Sequence, residues 1–312
     1  MKRIAILMSA LVLVIALMGT ACTSTPKDQV NAATEPLSSS LEELDQAQIQ
    51  ENVQQITTKI EESASYYMGD LYVMAIGINE YSNNYFPSLV FAANDAENIC
   101  KLLSAQEGKV FRNVKTMLIS DKGGVTPTRD NIRKNMDFFK DVRAIDTVIL
   151  FAATHRIIVD NVFYLLPSDS QYKDGEGFVL SSCIKFDEII SALNVLGRKM
   201  IIIDTHSPNI SGKDITVLSA CKENEQAIES YLYGGGLFTT SIIEAFEKAD
   251  SEYGLIKVSS LFDYVVNRVG EMSENKQTPV LTASSGAEEM IIGFKYGLDN
   301  LPTSSQIRAE LD

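Results

Sequence analysis

A three-layer α/β/α sandwich, with a mainly parallel sheet between two layers of helices, is the fold this 312-residue chain predicts. Three observations carry the prediction. From residue 71 onward, apolar runs of strand length alternate with amphipathic stretches of helical length. The runs are apolar at successive positions, as strands covered on both faces must be. Two of them are followed by histidines, His155 and His206, and the chain has 2 histidines in all. Chemistry in open α/β sheets gathers beyond the carboxyl ends of parallel strands, so imidazoles delivered there mark a site.

The elements follow in order. Residues 71–78 form an unbroken apolar run and predict the first strand. A helix is expected over 94–104, because Ala96, Ile99, Leu102 and Leu103 share one side. Residues 114–119 read as the second strand, and 128–142 as a helix with Pro127-Thr128 as its start signal. The third strand spans 147–152, and 159–166 is a short hairpin partner ending at Pro167-Ser168-Asp169. A helix over 186–196 precedes strands at 200–203 and 216–220. Helices at 238–248 and 261–271 come next, then strands within 279–283 and at 290–294. Alternating units of this kind build a mainly parallel sheet.

The first 22 residues read as an export signal: Lys2-Arg3, then an uncharged apolar stretch from Ile4 to Met18 that is short for a membrane span. It ends in Met18-Gly19-Thr20-Ala21-Cys22, which resembles a bacterial lipobox. That resemblance implies acylation of Cys22, with chains such as palmitate, and an extracytoplasmic protein anchored to a cell membrane or outer membrane. An ordinary cleaved signal with a spectator cysteine is the alternative. Residues 23–40, rich in Ser, Thr, Ala and Pro, suit a flexible tether. Residues 41–68 suit a helical stalk, with Leu41, Leu44, Val53, Ile56 and Ile60 at helical spacing. The folded domain is expected over 69–296 and a tail over 297–312.

Charge and cysteine use narrow the function. A formal charge of −14 opposes binding to a phosphate backbone, so no nucleic-acid partner is expected. Cys100, Cys183 and Cys221 are scattered and odd in number, which indicates neither a zinc site nor a disulfide framework. The loops Asp121-Lys-Gly-Gly124 and Gly234-Gly-Gly236 lack the ending of a phosphate loop. The second is expected to give flexibility ahead of the following helix.

Six segments carry a family resemblance, in order, over roughly residues 70–295. Leu71-Tyr-Val-Met-Ala-Ile-Gly77-Ile-Asn79-Glu-Tyr81, followed by Ala92-Ala-Asn94-Asp95-Ala96, looks like the opening strand and helix of caspase-like cysteine peptidases, in the style of their bacterial and metacaspase branches. The segment from His155 to Phe163-Tyr164-Leu-Leu-Pro167-Ser-Asp169 is similar to the family's histidine strand and hairpin. Asp204-Thr205-His206-Ser207-Pro208-Asn209 occupies the place of its Asp-x-Cys nucleophile turn. Leu218-Ser-Ala-Cys221, Glu225-Gln-Ala227 and Gly236-Leu-Phe238-Thr239 resemble its small-subunit half, and Gln277-Thr-Pro279 its closing strand.

The resemblance implies a caspase-like sandwich, and the departures bear on activity. The family histidine lies between glycines, whereas Thr154 and Arg156 flank His155. The nucleophile turn carries His206 and no thiol. Imidazole is too weak a nucleophile and too good a leaving group to replace a thiolate against a peptide amide. A pseudopeptidase that binds a peptide or protein is therefore the preferred expectation. An endopeptidase using Ser207 with His155 as base, or a bound metal, is the competing one. The two histidines with Asp204 or Asp169 could make a metal site, but no third ligand is fixed by spacing, so no cofactor is expected. In metacaspase-like relatives, carboxylates at positions corresponding to Asp95 and Asp204 line a pocket for a basic side chain. Helix capping by Asp95 and a strand-end hydrogen bond by Asp204 are the structural alternatives.

Overall fold

The computed structural model describes residues 68–206, 214–251 and 254–295. The expected leader, tether, stalk below residue 68, lipidated Cys22, C-terminal tail and Ser207 lie outside those residues.

The chain runs β1 (Leu71–Gly77), α1 (Ala92–Ser104), β2 (Val114–Ser120), α2 (Arg129–Asn135) and β3 (Thr147–Ala153). It continues through β4 (Arg156–Val159), β5 (Val162–Leu165), β6 (Tyr172–Lys173), β7 (Gly177–Phe178), β8 (Ile184–Lys185) and α3 (Phe186–Ala192). Next come β9 (Arg198–His206), β10 (Thr216–Cys221), β11 (Glu229–Ser230), β12 (Gly235–Gly236) and α4 (Leu237–Lys248). The last are β13 (Leu255–Lys257), α5 (Val258–Ser273), β14 (Val280–Thr282) and β15 (Ile291–Phe294).

Six strands form the central sheet in the order β14-β10-β9-β3-β1-β2. All neighbours are parallel except β14, which runs antiparallel to β10. The strand order reverses at β1, which opens a crevice at the carboxyl ends of β1 and β3. Strand alternation splits the apolar runs between two layers. Leu71, Val73, Ala75, Ile149, Phe151, Met200 and Ile202 pack under α1, α4 and α5. Met74, Ile76, Val148, Leu150, Ile201 and Ile203 pack against the α2 and α3 side through Ile132, Phe139, Phe186 and Ile189. With both faces covered, every residue of β1 and β3 is buried, which explains the unbroken runs.

The helices depart from their expected bounds, and α3 stops at Ala192, four residues short of the expected 196. The expected helix over 128–142 stops at Asn135 and tightens into a 3-10 turn, Met136–Phe139, which puts Phe139 fully in the core. Thr128 caps it as expected, its hydroxyl accepting from Asn131 N at 3.4 Å. The last helix begins earlier, at Val258, because Val258, Leu261, Val265 and Val269 make one buried stripe. Helix α1 starts at Ala92, ahead of Asn94, because its first amides are satisfied from elsewhere in the chain. Asn79 Oδ1 accepts from Ala93 N at 2.7 Å, and the Glu229 carboxylate accepts from Val90 N and Phe91 N at 2.9 and 2.8 Å.

Candidate functional site

The site is assembled at the carboxyl ends of β1, β3, β9 and β10. The register pairs Ala152 with Ile203; His155 follows the end of β3, and His206 ends β9 beyond a register shift against β10 that falls between Ile203 and His206. Their rings have different surroundings.

His155 is half-buried and held on three sides. Its ring lies against Tyr81, with centroids 5.0 Å apart, and its Nε2 is 2.7 Å from the carbonyl oxygen of Pro87. A carbonyl only accepts, so Nε2 carries the hydrogen and Nδ1 keeps the free lone pair. The backbone is fixed in the same way: His155 N donates to the Tyr81 hydroxyl at 2.9 Å. Thr154 donates its only hydroxyl hydrogen to Leu166 O at 2.6 Å, so the Tyr81 O–H donates to Thr154 Oγ1, 2.8 Å away. Burial pushes the Tyr81 hydroxyl well above its ordinary pKa, which keeps it a donor. Thr154 is thereby turned inward, at 6% exposure, and does not crowd the space above His155.

His206 is 1% exposed, and neither ring nitrogen has a partner among the described residues. It meets the edge of Phe163, centroids 5.6 Å apart, and sits opposite Cys221 on β10. Burial, then the Arg156 charge, hold its pKa below the ordinary histidine value, so it is neutral near pH 7. Among the described residues no group of three potential ligands could hold a metal, and Asp169 Oδ1 accepts from Arg129 N at 2.8 Å.

Asp95 and Asp204 converge. Asp95 lies inside α1, past its start, so it is not the helix cap. Its Oδ2 accepts from Gly236 N at 3.0 Å, across 141 residues of sequence. Asp204 Oδ2 accepts from Thr239 Oγ1 at 3.0 Å. A Cβ on Gly236 would lie 2.7 Å from Asp204 Oδ2 and 3.0 Å from Asp95 Oδ2. The two oxygens are therefore within about 6 Å of each other, close enough for each charge to oppose the other's ionisation. Burial, then the Asp204 charge, raise Asp95 to about 8. Burial raises Asp204 to about 7, and the Glu229 charge adds to it.

The glycines expected to give flexibility instead give proximity. A Cβ on Gly235 would meet Asp95 Oδ1 at 2.8 Å, so both glycines let the β11–β12 hairpin lie directly on the carboxylates. The same hairpin carries Glu229 to the start of α1, and Gln277 anchors its approach by accepting from Ile228 N at 2.9 Å and donating to Ala220 O at 3.0 Å. Asp95 and Asp204 thus meet at Gly236, the charge of Glu229 is felt at both, and neither has an ion pair among the described residues. Pro87, Tyr81, Glu229, Gly236 and Gln277 were not legible as site residues in sequence. Glu229 and Gly236 act across 138 and 141 positions and Gln277 across 49 and 57, while the 81–87 pair had as its signal only its nearness to the first strand end.

The described thiols behave as small hydrophobes. Cys100, Cys183 and Cys221 are all buried and unpaired by disulfides. Burial, ahead of nearby carboxylates, pushes Cys221 up to about 12 and Cys100 up to about 11, and burial also raises Cys183. A thiol so protonated is neither nucleophile nor ligand at neutral pH.

The family model of the caspase domain matches residues 71–291. No curated protein sequence matches the chain. Among solved structures, protein GSU0716 from Geobacter sulfurreducens aligns with a TM-score of 0.53 and 13% identity, covering 72% of this chain and 99% of its own. Caspase-1 from Spodoptera frugiperda aligns with a TM-score of 0.50 and 13% identity, covering 74% of this chain and 92% of its own. At that identity the likeness shows the fold: a caspase-like sandwich with a mostly parallel sheet. The match across the sheet, the His155 strand and the β11–β12 hairpin places the chain in the caspase domain family.

Proposed function

We propose that this chain is a membrane-anchored lipoprotein whose caspase domain binds a peptide or protein without cutting it. The ligand presents an arginine or lysine to Asp95 and Asp204. One observation carries the reading: two carboxylates, raised to about 8 and about 7, meet at Gly236 with no ion pair to a cation among the described residues. A guanidinium or ammonium entering there relieves the repulsion and pairs with both oxygens. Non-catalytic binding is supported by His206, which is neutral, buried and without a ring-nitrogen partner among the described residues, at the strand end where related peptidases hold their thiolate. The anchor rests on the lipobox-like Met18-Gly19-Thr20-Ala21-Cys22. It is tested by mass spectrometry of the N-terminus of membrane-extracted protein, against Cys22→Ala, which should partition into the soluble fraction.

The binding reading is tested by isothermal titration with matched peptides carrying Arg, Lys, Gln or Asp, beside an assay of their amide hydrolysis. Binding of the basic pair without turnover, and turnover on His206→Cys, is the expected pattern. Equal affinity for all four peptides would sink the pocket.

A second reading, an active endopeptidase, has its own observation. Pro87 holds His155 in the tautomer that leaves Nδ1 unprotonated, as a general base requires. On that reading Ser207 would give its proton to His155 as it attacks the carbonyl. Hydrolysis by the wild type that disappears in His155→Ala, with binding retained, decides for it.

A further inference from the structure

His206 and Arg156 are two nitrogen-bearing side chains that the pocket reading leaves unused. Arg156 directly follows His155, and it is half-buried. Its guanidinium has neither a hydrogen bond nor an ion pair among the described residues. A fork of five donors taken partly out of water ordinarily has a carboxylate against it. Burial accordingly pulls its pKa down, only partly offset by the Cys221 thiol and the exposed Glu223. His206 shares this condition, with two unpartnered nitrogens at 1% exposure. A buried polar group without a partner calls for an explanation, and a missing ligand is one.

The two side chains share one place. In the β4–β5 ladder Arg156 stands opposite Leu165, and Ile158 opposite Phe163. Opposed residues project to the same face, as do residues two apart, so Arg156 and Phe163 lie on one side of the hairpin. His206 packs its ring on that same Phe163. The charge of Arg156 is felt at both His206 and Cys221, and the charge of Asp204 is felt at Cys221. The acidic pocket and the unpaired guanidinium are thus neighbours. Asp204 and His206 are two residues apart on β9, across the register shift against β10, so their Cα atoms are at most about 7 Å apart. An extended arginine or lysine side chain sets its cation a comparable distance from its own α-carboxylate.

We propose that Arg156, with His206, is an anion subsite for the terminal carboxylate of a peptide that ends in arginine or lysine. This deepens the pocket reading and rests on it: the side chain enters between Asp95 and Asp204, and the free C-terminus meets the guanidinium. The domain then recognises a chain end already made by cleavage after a basic residue, and an uncut chain lacks the required charge.

The test uses the full chain and three fluorescent peptides of one sequence: a C-terminal arginine acid, the corresponding arginine amide, and a C-terminal glutamine acid. Fluorescence anisotropy should rank the arginine acid first, with the amide weaker by about tenfold. Arg156→Gln should bring the acid down to the amide's affinity and leave the amide unchanged. Arg156→Lys should restore part of the difference, since it keeps charge and loses the fork. Thermal melting confirms that each variant is folded. Equal affinity of acid and amide, both above the glutamine peptide, overturns the anion subsite and leaves the basic pocket standing. Equal affinity of the arginine and glutamine acids overturns the pocket, and this inference with it.

Discussion

At the amino ends of β1 and β3, Asp70 and Asp146 are buried and fully paired. Arg112 grips Asp70 through Nε and a terminal nitrogen, both at 2.9 Å, and Asn113 adds a third bond at 2.9 Å. Arg143 does the same for Asp146 at 3.0 and 2.7 Å, while Asp70 N donates to Asp146 Oδ1 at 2.8 Å. At the other end of the sheet, Asp95 and Asp204 have one donor each and no cation among the described residues. Burial raises the pKa of all four. At the amino end the hydrogen bonds and the arginine charges outweigh it, and both groups fall below 3.8. At the carboxyl end nothing outweighs it, and the groups rise to about 8 and about 7. One end spends its carboxylates on holding the strands, and the other leaves two of them with a single described donor each.

The comparison breaks most sharply at Asp146. Asp146→Ala removes an acceptor with 0% exposure and strands Arg143 and the Asp70 amide, which should cost roughly 3 kcal/mol. A lowered urea midpoint without a change in slope reads this effect; a change of under half that size would place the strand ends outside the domain's stability. The pH dependence has a definite sign. Lowered pKa values mean that stability from Asp70 and Asp146 is present above 3.8 and lost as pH falls below it.

Asp204→Asn should act oppositely. A carboxylate with a raised folded-state pKa binds its proton longer in the folded state than in the unfolded one. Stability therefore falls as pH rises from about 4 toward 7 or 8, and then levels off. Removing one of the two charges should stabilise the ligand-free domain by about 1–2 kcal/mol at pH 9 and by much less at pH 5. Melting curves at the two pH values test the sign, and loss of basic-peptide binding should accompany the gain. A uniform destabilisation would make Asp204 a structural group like Asp146.

Gly236→Ala sharpens the same point by geometry. Gly236 has φ near −63°, which any residue adopts, so the substitution costs nothing in backbone strain. Its Cβ would instead press on Asp204 Oδ2 and Asp95 Oδ2. We expect about 1 kcal/mol of lost stability, within the range for overpacking, together with loss of basic-peptide affinity. Retained affinity would mean the ligand does not contact this floor.

The sequence showed the strands because double burial writes itself as unbroken apolar runs, and it showed His155 and Asp204 because each follows or ends such a run. It could not show that Asp95 sits past the start of α1, because the amides of that start are taken by Asn79 and by Glu229, 138 positions later in the second case. Gly235 and Gly236 read as a flexible spacer for a similar reason: close approach is a property of what lies opposite, and nothing local encodes it. Thr154 flanks His155 where the family has glycine, and its hydroxyl is drawn inward by Leu166 O. Arg156 departs from the family pattern and carries a charge with neither hydrogen bond nor ion pair among the described residues.

The smallest effect separates the two histidines themselves. The chain has 2, so their nitrogen resonances can be assigned by single substitution to Gln. His155 should appear as the Nε2–H tautomer, since the Pro87 carbonyl 2.7 Å away accepts only from a protonated nitrogen. His206 should stay neutral below pH 6.5, because burial and the Arg156 charge both disfavour its cation. A histidine with a depressed pKa contributes stability above 6.5 that is lost as pH falls through the folded value. In Arg156→Gln the repulsive charge is gone, and the His206 titration should move upward while the His155 tautomer is unchanged. An unmoved His206 titration would separate it from Arg156, and a peptide carboxylate could then not bridge them.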